Sequence, residues 1–223
     1  SFIHDSTHDP DKAMAGTMAM YGAISVEIAN RREQLGDDLF SDMMRTPVNG
    51  KLLDDSELLN FASLVLLGGM DTTSGVTGNS ILLIDQDPDL RQQIIDNIEQ
   101  MPKIIEEFLR VAGPGGGLYR RLTKDVEFHG EQMHEGEKVL MMFWAANRDP
   151  KAFPDPEKID IFRTQNRHMA FGLGPHRCLG SHHARRMFAT LMTGIFTRIP
   201  DFEVQWEGVE RFEDCGSVYA VRN

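Results

Sequence analysis

The sharpest chemical signal in the chain is Phe171-Gly172-Leu173-Gly174-Pro175-His176-Arg177-Cys178-Leu179-Gly180. Three glycines and a proline dictate a tight, rigid loop. Cys178 falls just before a predicted helix start, where backbone N–H groups and the helix dipole suit an anionic sulfur. A sulfur presented this way can ligate a metal. With no second cysteine nearby, a four-sulfur zinc or iron–sulfur site does not fit. Two other readings stay open at this point: a small buried hydrophobe in a structural turn, and a cramped zinc site from His176, Cys178, His182 and His183.

Two further groups stand out. Gly68-Gly69-Met70-Asp71-Thr72-Thr73 interrupts an otherwise apolar helical stretch. Two glycines, an acid and two β-branched alcohols are poor material for a buried helix, and a local rule broken in a core element points to function. A helix kink with a back-bonded hydroxyl is the plainer alternative. Glu107 and Arg110 are spaced to pair on one helix face; alone, they would be an ordinary surface pair worth a few tenths of a kcal/mol.

The elements that must position these residues are mostly helical. Asp11 to Gln34 spaces Met14, Met18, Tyr21, Ile24 and Ile28 by threes and fours, predicting an amphipathic helix, with Gly36 as a stop. Asp54-Asp55-Ser56-Glu57 resembles a cap, followed by a helix to about Ile84. At 1.5 Å per residue it runs ~40 Å. Its apolar content nearly all round predicts a central, buried element. Asp87-Pro88 restarts a helix to about Ile98. Met101-Pro102 begins another, ending before Gly113-Pro114, and Gly115-Gly116-Gly117 marks a hinge or a close backbone approach. The segments 125–130 and 138–143 read as strands around a turn. Residues 147–167 are loop-like, Leu179 to Ile199 is helical, and the tail from Phe202 to Val221 reads as strands and turns. This is a mainly α chain with a small β portion, an α+β pattern without a visible domain boundary.

Composition narrows the function classes. Among 223 residues, 34 acids against 23 Lys and Arg give a net charge of −11. That argues against nucleic-acid binding, which needs a basic surplus. The hydrophobic share of 41% and charged share of 26% are those of a soluble globular chain. The two cysteines, Cys178 and Cys215, exclude a disulfide scaffold and fit a reducing compartment. No run approaches ~18 unbroken apolar residues, so no membrane span is expected. No signal peptide is visible, and the chain opens on Ser1 rather than Met.

The loop's pattern, Phe-Gly-x-Gly-x-His-x-Cys-x-Gly, resembles the haem-binding loop of the cytochrome P450 family, with every fixed position filled. Glu107-Phe108-Leu109-Arg110 is similar to the family's Glu-x-x-Arg, and Gly69-x-Asp71-Thr72-Thr73 to its oxygen-activation segment. Ala145-Ala146-Asn147-Arg148-Asp149-Pro150 resembles the bacterial form of the stretch that follows. Arg163 falls where the third ion-pair partner falls. The order and spacing liken the whole of 1–223 to the C-terminal half of soluble bacterial members. The stretch His183-Ala184-Arg185-Arg186-Met187 departs from the family's Leu-Ala-Arg-x-Glu.

The resemblance implies a cytochrome P450-like fold, its C-terminal portion with a long central helix and a cysteine loop. It implies haem b, with Cys178 as the axial thiolate and metal ligand. Phe171 would pack against the haem, with Gly172 and Gly180 shaping the loop. His176 and Arg121 would pair with the propionates. Glu107, Arg110 and Arg163 would form a buried ion-pair network. Thr72 would hydrogen-bond dioxygen and Asp71 would relay protons to it. Leu66, Met70, Gly116 and Leu118 would border a pocket for a small lipophilic substrate.

The implied activity is a monooxygenase placing one atom of O2 in the substrate. Ferredoxin and ferredoxin reductase would donate electrons in the cytoplasm. Arg177, Arg185 and Arg186 would dock the acidic donor, unless they are simply a solvated helix face. The alternative is a haem-binding protein without oxygenase turnover. Family members are roughly twice this long, so the chain is read as a fragment, or the ordered part, of a longer protein, the fragment being inactive alone.

Overall fold

The computed structural model describes residues 9–214 and 218–222. They divide into two compact units, residues up to Asp71 and residues from Thr72 onward. The division falls inside one continuous helix rather than at a linker. Cys215 lies outside the described residues.

In the first unit, α1 (Pro10–Glu33) starts where the Asp9 side chain accepts from the Lys12 N–H and Pro10 fills the first turn. It buries only Ala13, Ile24 and Ile28; Met14 and Met18 are exposed, so the apolar stripe expected there is narrower than its spacing suggests. A short α2 (Leu39–Arg45), capped by Asp38, had no sequence expectation. Its Met44 joins Ile24, Ile28 and Leu58 in a small core.

The long α3 spans Asp55–Asp85. Its start is a capping box: Asp54 Oδ1 accepts from the Glu57 N–H while Glu57 Oε2 accepts from the Asp54 N–H. The expectation of burial all round fails over its first half. Leu64 is 63% and Met70 66% exposed, and burial becomes regular only from Thr73. The helix is also α-helical throughout its Gly68–Thr73 stretch.

In the second unit, Val76 and Ile84 of α3 pack with α4 (Pro88–Asp96), α5 (Met101–Ala112) and α7 (Ser181–Arg198). Asp87 caps α4 by accepting from the Leu90 N–H. Nine of the twelve residues of α5 are buried, including Glu107 and Arg110, so its charged pair is held inside the core. Asp85, at the end of α3, receives the Trp206 indole N–H at 2.8 Å and Arg91 at 3.1 Å, fastening the C-terminal segment.

Among the described residues the β portion is three two-stranded antiparallel ribbons. β1 (Gly117–Arg121) pairs with β4 (Lys138–Met142), and β2 (Val126–Phe128) with β3 (Glu131–Met133). Thus the two strands expected to face each other around a turn do not pair. His129 and Gly130, both at positive φ, close β2 directly onto β3, and β4 reaches back to β1. Gly117 is a close approach: a Cβ there would lie 2.5 Å from the Met141 carbonyl oxygen. A four-residue α6 (Phe143–Ala146) follows β4. β5 (Glu210–Asp214) pairs with β6 (Val218–Arg222).

Candidate active site

Glu107 is the hub of a buried ion-pair network. Arg110 forks onto it, Nη2 to Oε1 at 2.7 Å and Nε to Oε2 at 2.9 Å. The Arg163 Nε donates to both oxygens at 3.1 and 3.2 Å, and the Asp160 N–H and Asn166 Nδ2 add bonds at 3.0 Å. Burial pushes the Glu107 carboxyl up, but the Arg110 hydrogen bonds, the Asp160 N–H and the adjacent guanidiniums outweigh it and hold the carboxyl below its ordinary range. Arg110, fully buried, spends its other N–H groups on the carbonyls of Asn147, Pro156 and Lys158. A surface i,i+3 pair is therefore not what these residues form.

From there a polar path leads to the loop. Asn147, 1% exposed, donates to the Arg110 carbonyl and accepts the Met169 N–H at 2.6 Å. Two residues on, Phe171 opens the loop. Gly172 (φ +65°) and Gly174 (φ +71°) turn the chain through conformations that side chains resist. A Cβ on Gly172 would sit 3.7 Å from the Phe143 ring, which seats the loop beside α6. The Cys178 N–H donates to the Phe171 carbonyl at 2.9 Å and closes the loop just before α7. Cys178 is exposed, which removes the reading of a buried hydrophobe. Among the described residues no group of three or more His, Cys, Asp or Glu side chains forms a metal-ligand set, so His176, His182 and His183 do not complete a zinc site with it.

A second polar cluster was not anticipated. Glu106, beside Glu107 in sequence, receives Arg185 at 2.6 and 2.9 Å and meets His168 Nε2 at 3.0 Å. Burial raises the Glu106 carboxyl, yet the hydrogen bonds from His168 and Arg185 and the Arg185 charge win and lower it to about 2. Arg185 is thus turned onto Glu106 and over the Phe171 ring, which corrects its expected place in a solvent-facing basic patch. Arg177 and Arg186 remain exposed. The signal for this cluster was the doubled acid Glu106-Glu107, but nothing in spacing alone ties residue 106 to residues 168 and 185.

His176 is exposed in the short helical turn Gly174–His176. Arg121, at the exposed end of β1, donates to the Gly136 carbonyl at 3.1 Å. Asp71 and Thr72 are half-buried neighbours on α3. Leu66, Met70 and Leu118 are exposed. Gly116, expected to border a pocket, is buried, with its carbonyl accepting the Trp144 N–H.

A family model for cytochrome P450 matches residues 93–213. The steroid C26-monooxygenase of Mycobacterium tuberculosis (strain CDC 1551 / Oshkosh) is 37% identical over 204 residues, 90% of this chain and 54% of that one. The mycinamicin IV hydroxylase/epoxidase of Micromonospora griseorubida is 34% identical over 188 residues, 80% of this chain and 47% of that one. Among solved structures, CYP109E1 from Bacillus megaterium in complex with testosterone superposes with a TM-score of 0.88 at 30% identity, covering 99% of this chain and 61% of that one. The chain belongs to the cytochrome P450 family, and it spans about half the length of the curated relatives it matches.

Membership implies a haem cofactor, and the residues present fit one. Among the described residues Cys178 offers one exposed sulfur outside any group of three or more His, Cys, Asp or Glu, which would suit a metal held mainly by a macrocycle. A Cβ on Gly174 or Gly180 would meet nothing within 4 Å, so that side of the loop is open to a broad planar group.

Proposed function

We propose that the protein carrying this chain is a haem-thiolate monooxygenase that inserts one atom of O2 into a small lipophilic substrate, with the chain forming the C-terminal part of a single P450-like domain. The observation that carries this is the exposed Cys178 on a glycine-turned loop tied through Met169, Asn147 and Arg110 to the buried Glu107.

Haem, when bound, supplies the redox chemistry on dioxygen, which the protein tunes and orients. The chain's own part is to hold one sulfur at a fixed point. Phe171 and the glycines shape its surroundings, and Glu107, Arg110 and Arg163 keep the supporting loops from relaxing. His176 and Arg121 are the cationic or hydrogen-bonding partners for the haem carboxylates. Thr72 holds a proton on its hydroxyl for delivery to dioxygen, and Asp71, next to it on α3, resupplies it. Gly68 and Gly69 leave room beside them: a Cβ on either would meet nothing within 4 Å beyond the helix itself.

The substrate class rests on exposed apolar side chains within each unit: Leu66 and Met70 in the first and, separately, Leu118 in the second. It agrees with relatives whose names include a steroid C26-monooxygenase and a mycinamicin hydroxylase. We assign electron supply to a ferredoxin and its reductase, with Arg177 and Arg186 available to an acidic partner. Among the described residues no helix is long and apolar enough to cross a membrane, which is compatible with a cytoplasmic enzyme.

The test is made on the full-length protein. Thr72→Ala is expected to keep the carbon monoxide spectrum of a thiolate-bound haem but to cut product formed per electron consumed by about tenfold or more. Unchanged coupling would remove Thr72 from proton delivery.

A further inference from the structure

The Glu106 cluster plays no part in the chemistry just proposed, yet it grips the residue on which the sulfur-bearing loop turns. Adjacent acids on α5 serve different partners: Glu107 faces Arg110 and Arg163, while Glu106 faces His168 and Arg185.

Three contacts define the grip. Arg185 donates from Nε to Glu106 Oε1 at 2.6 Å and from Nη2 to Oε2 at 2.9 Å. This bidentate pairing fixes the guanidinium plane, which then lies over the Phe171 ring at 4.6 Å. His168, with its side chain 2% exposed, accepts the Ala170 N–H at Nδ1 (3.2 Å), so its ring proton sits on Nε2 and points to Glu106 Oε2 (3.0 Å). The backbone just ahead of the loop is thereby fastened to the same carboxylate that holds the arginine. Finally, the Phe171 carbonyl accepts the Cys178 N–H at 2.9 Å. The side chain of Phe171 is held from one side while its main chain holds the cysteine.

We propose that Glu106, His168 and Arg185 are positioning residues that clamp Phe171 and so fix the backbone presenting the Cys178 sulfur. The proposal rests on the assignment of Cys178 as the haem ligand. Loosening the clamp leaves the ligand in place but lets its loop drift, so the thiolate form of the site is lost more readily. The guanidinium needs both its fork and its flat face, which a lysine lacks.

The test uses the full-length, haem-loaded protein, reduced under carbon monoxide. In a fixed, mild denaturant concentration, the rate at which the thiolate-type band converts to the shorter-wavelength band is followed for the parent, Glu106→Gln, Arg185→Gln, Arg185→Lys and the Glu106→Gln/Arg185→Gln double variant. Thermal melting is recorded on the same preparations. Each single change is expected to speed conversion by about tenfold, and the double variant by no more than the worse single, because both act through one contact. Arg185→Lys, which keeps the charge, is expected not to rescue.

Conversion rates that stay at the parent's value, rates that multiply in the double variant, or full rescue by Arg185→Lys would each overturn the clamp. A parent with no thiolate-type band at all would contradict the Cys178 assignment instead. Should a glutamine variant not fold, alkylation of Cys178 in the haem-free Arg185→Lys protein gives the second readout. It is expected to be several-fold faster than in the parent, and an equal rate contradicts the clamp.

Discussion

Glu107 and Glu106 are neighbouring carboxylates that the fold keeps ionised by different means. Replacing Glu107 with Ala leaves Arg110 and Arg163 facing a void with their charges uncompensated, and Arg110 has no route to water. The expected cost is about 3–5 kcal/mol, read as a drop in the denaturant midpoint of the full-length protein. A variant as stable as the parent would show that the network is not structural.

Asn147→Ala strands the Met169 N–H and the Arg110 carbonyl and is expected to cost about 1–3 kcal/mol by the same assay. Glu106 makes a prediction in pH. Its carboxyl is lowered from an ordinary 4.5 to about 2, so its stabilisation is complete above pH 4.5 and is lost as pH falls from there through about 2. The shift corresponds to about 3 kcal/mol at most. Unfolding profiles of the parent and Glu106→Gln should converge at the acid end of that window; parallel profiles would contradict the assignment. At this scale the loop residues and the Glu107 network were legible because their types and spacing are unusual. Asn147 and the Glu106 cluster were not, because the contacts that give them meaning cross from 106 to 168 and 185, and from 147 to 110 and 169.

At the scale of elements, local signals carried furthest where a boundary is fixed by a cap. Asp54 and Asp87 each start a helix through their own side chains, and both were readable. Strand pairing was not, since β1 and β4 are joined across an intervening ribbon and their register depends on Gly117 lying against the Met141 carbonyl. Burial along α3 was misjudged for a related reason. An apolar face states what a helix could bury, whereas Leu64 and Met70 show that composition does not supply the partner.

The loop itself offers the element-scale prediction. Gly172→Ala forces an L side chain to φ +65° and toward Phe143. It should destabilise the full-length protein by about 1–2 kcal/mol, measured by denaturant unfolding. Gly180→Ala, with open space around it and negative φ, should cost clearly less. Equal costs would mean that the positive-φ turn does not govern the loop.

For the molecule as a whole, the proposed function rests on one claim: the single sulfur of Cys178, carried by the glycine-turned loop between Phe171 and α7, would hold the haem iron. The chain spans about half of its curated relatives, so that claim is examined on the full-length protein. The most direct measurement is the absorption spectrum of the reduced, haem-loaded protein under carbon monoxide, recorded beside Cys178→Ala. The red-shifted band of a thiolate-bound haem is expected in the parent and its loss in the variant. A parent without that band, or a variant that retains it, would contradict the account.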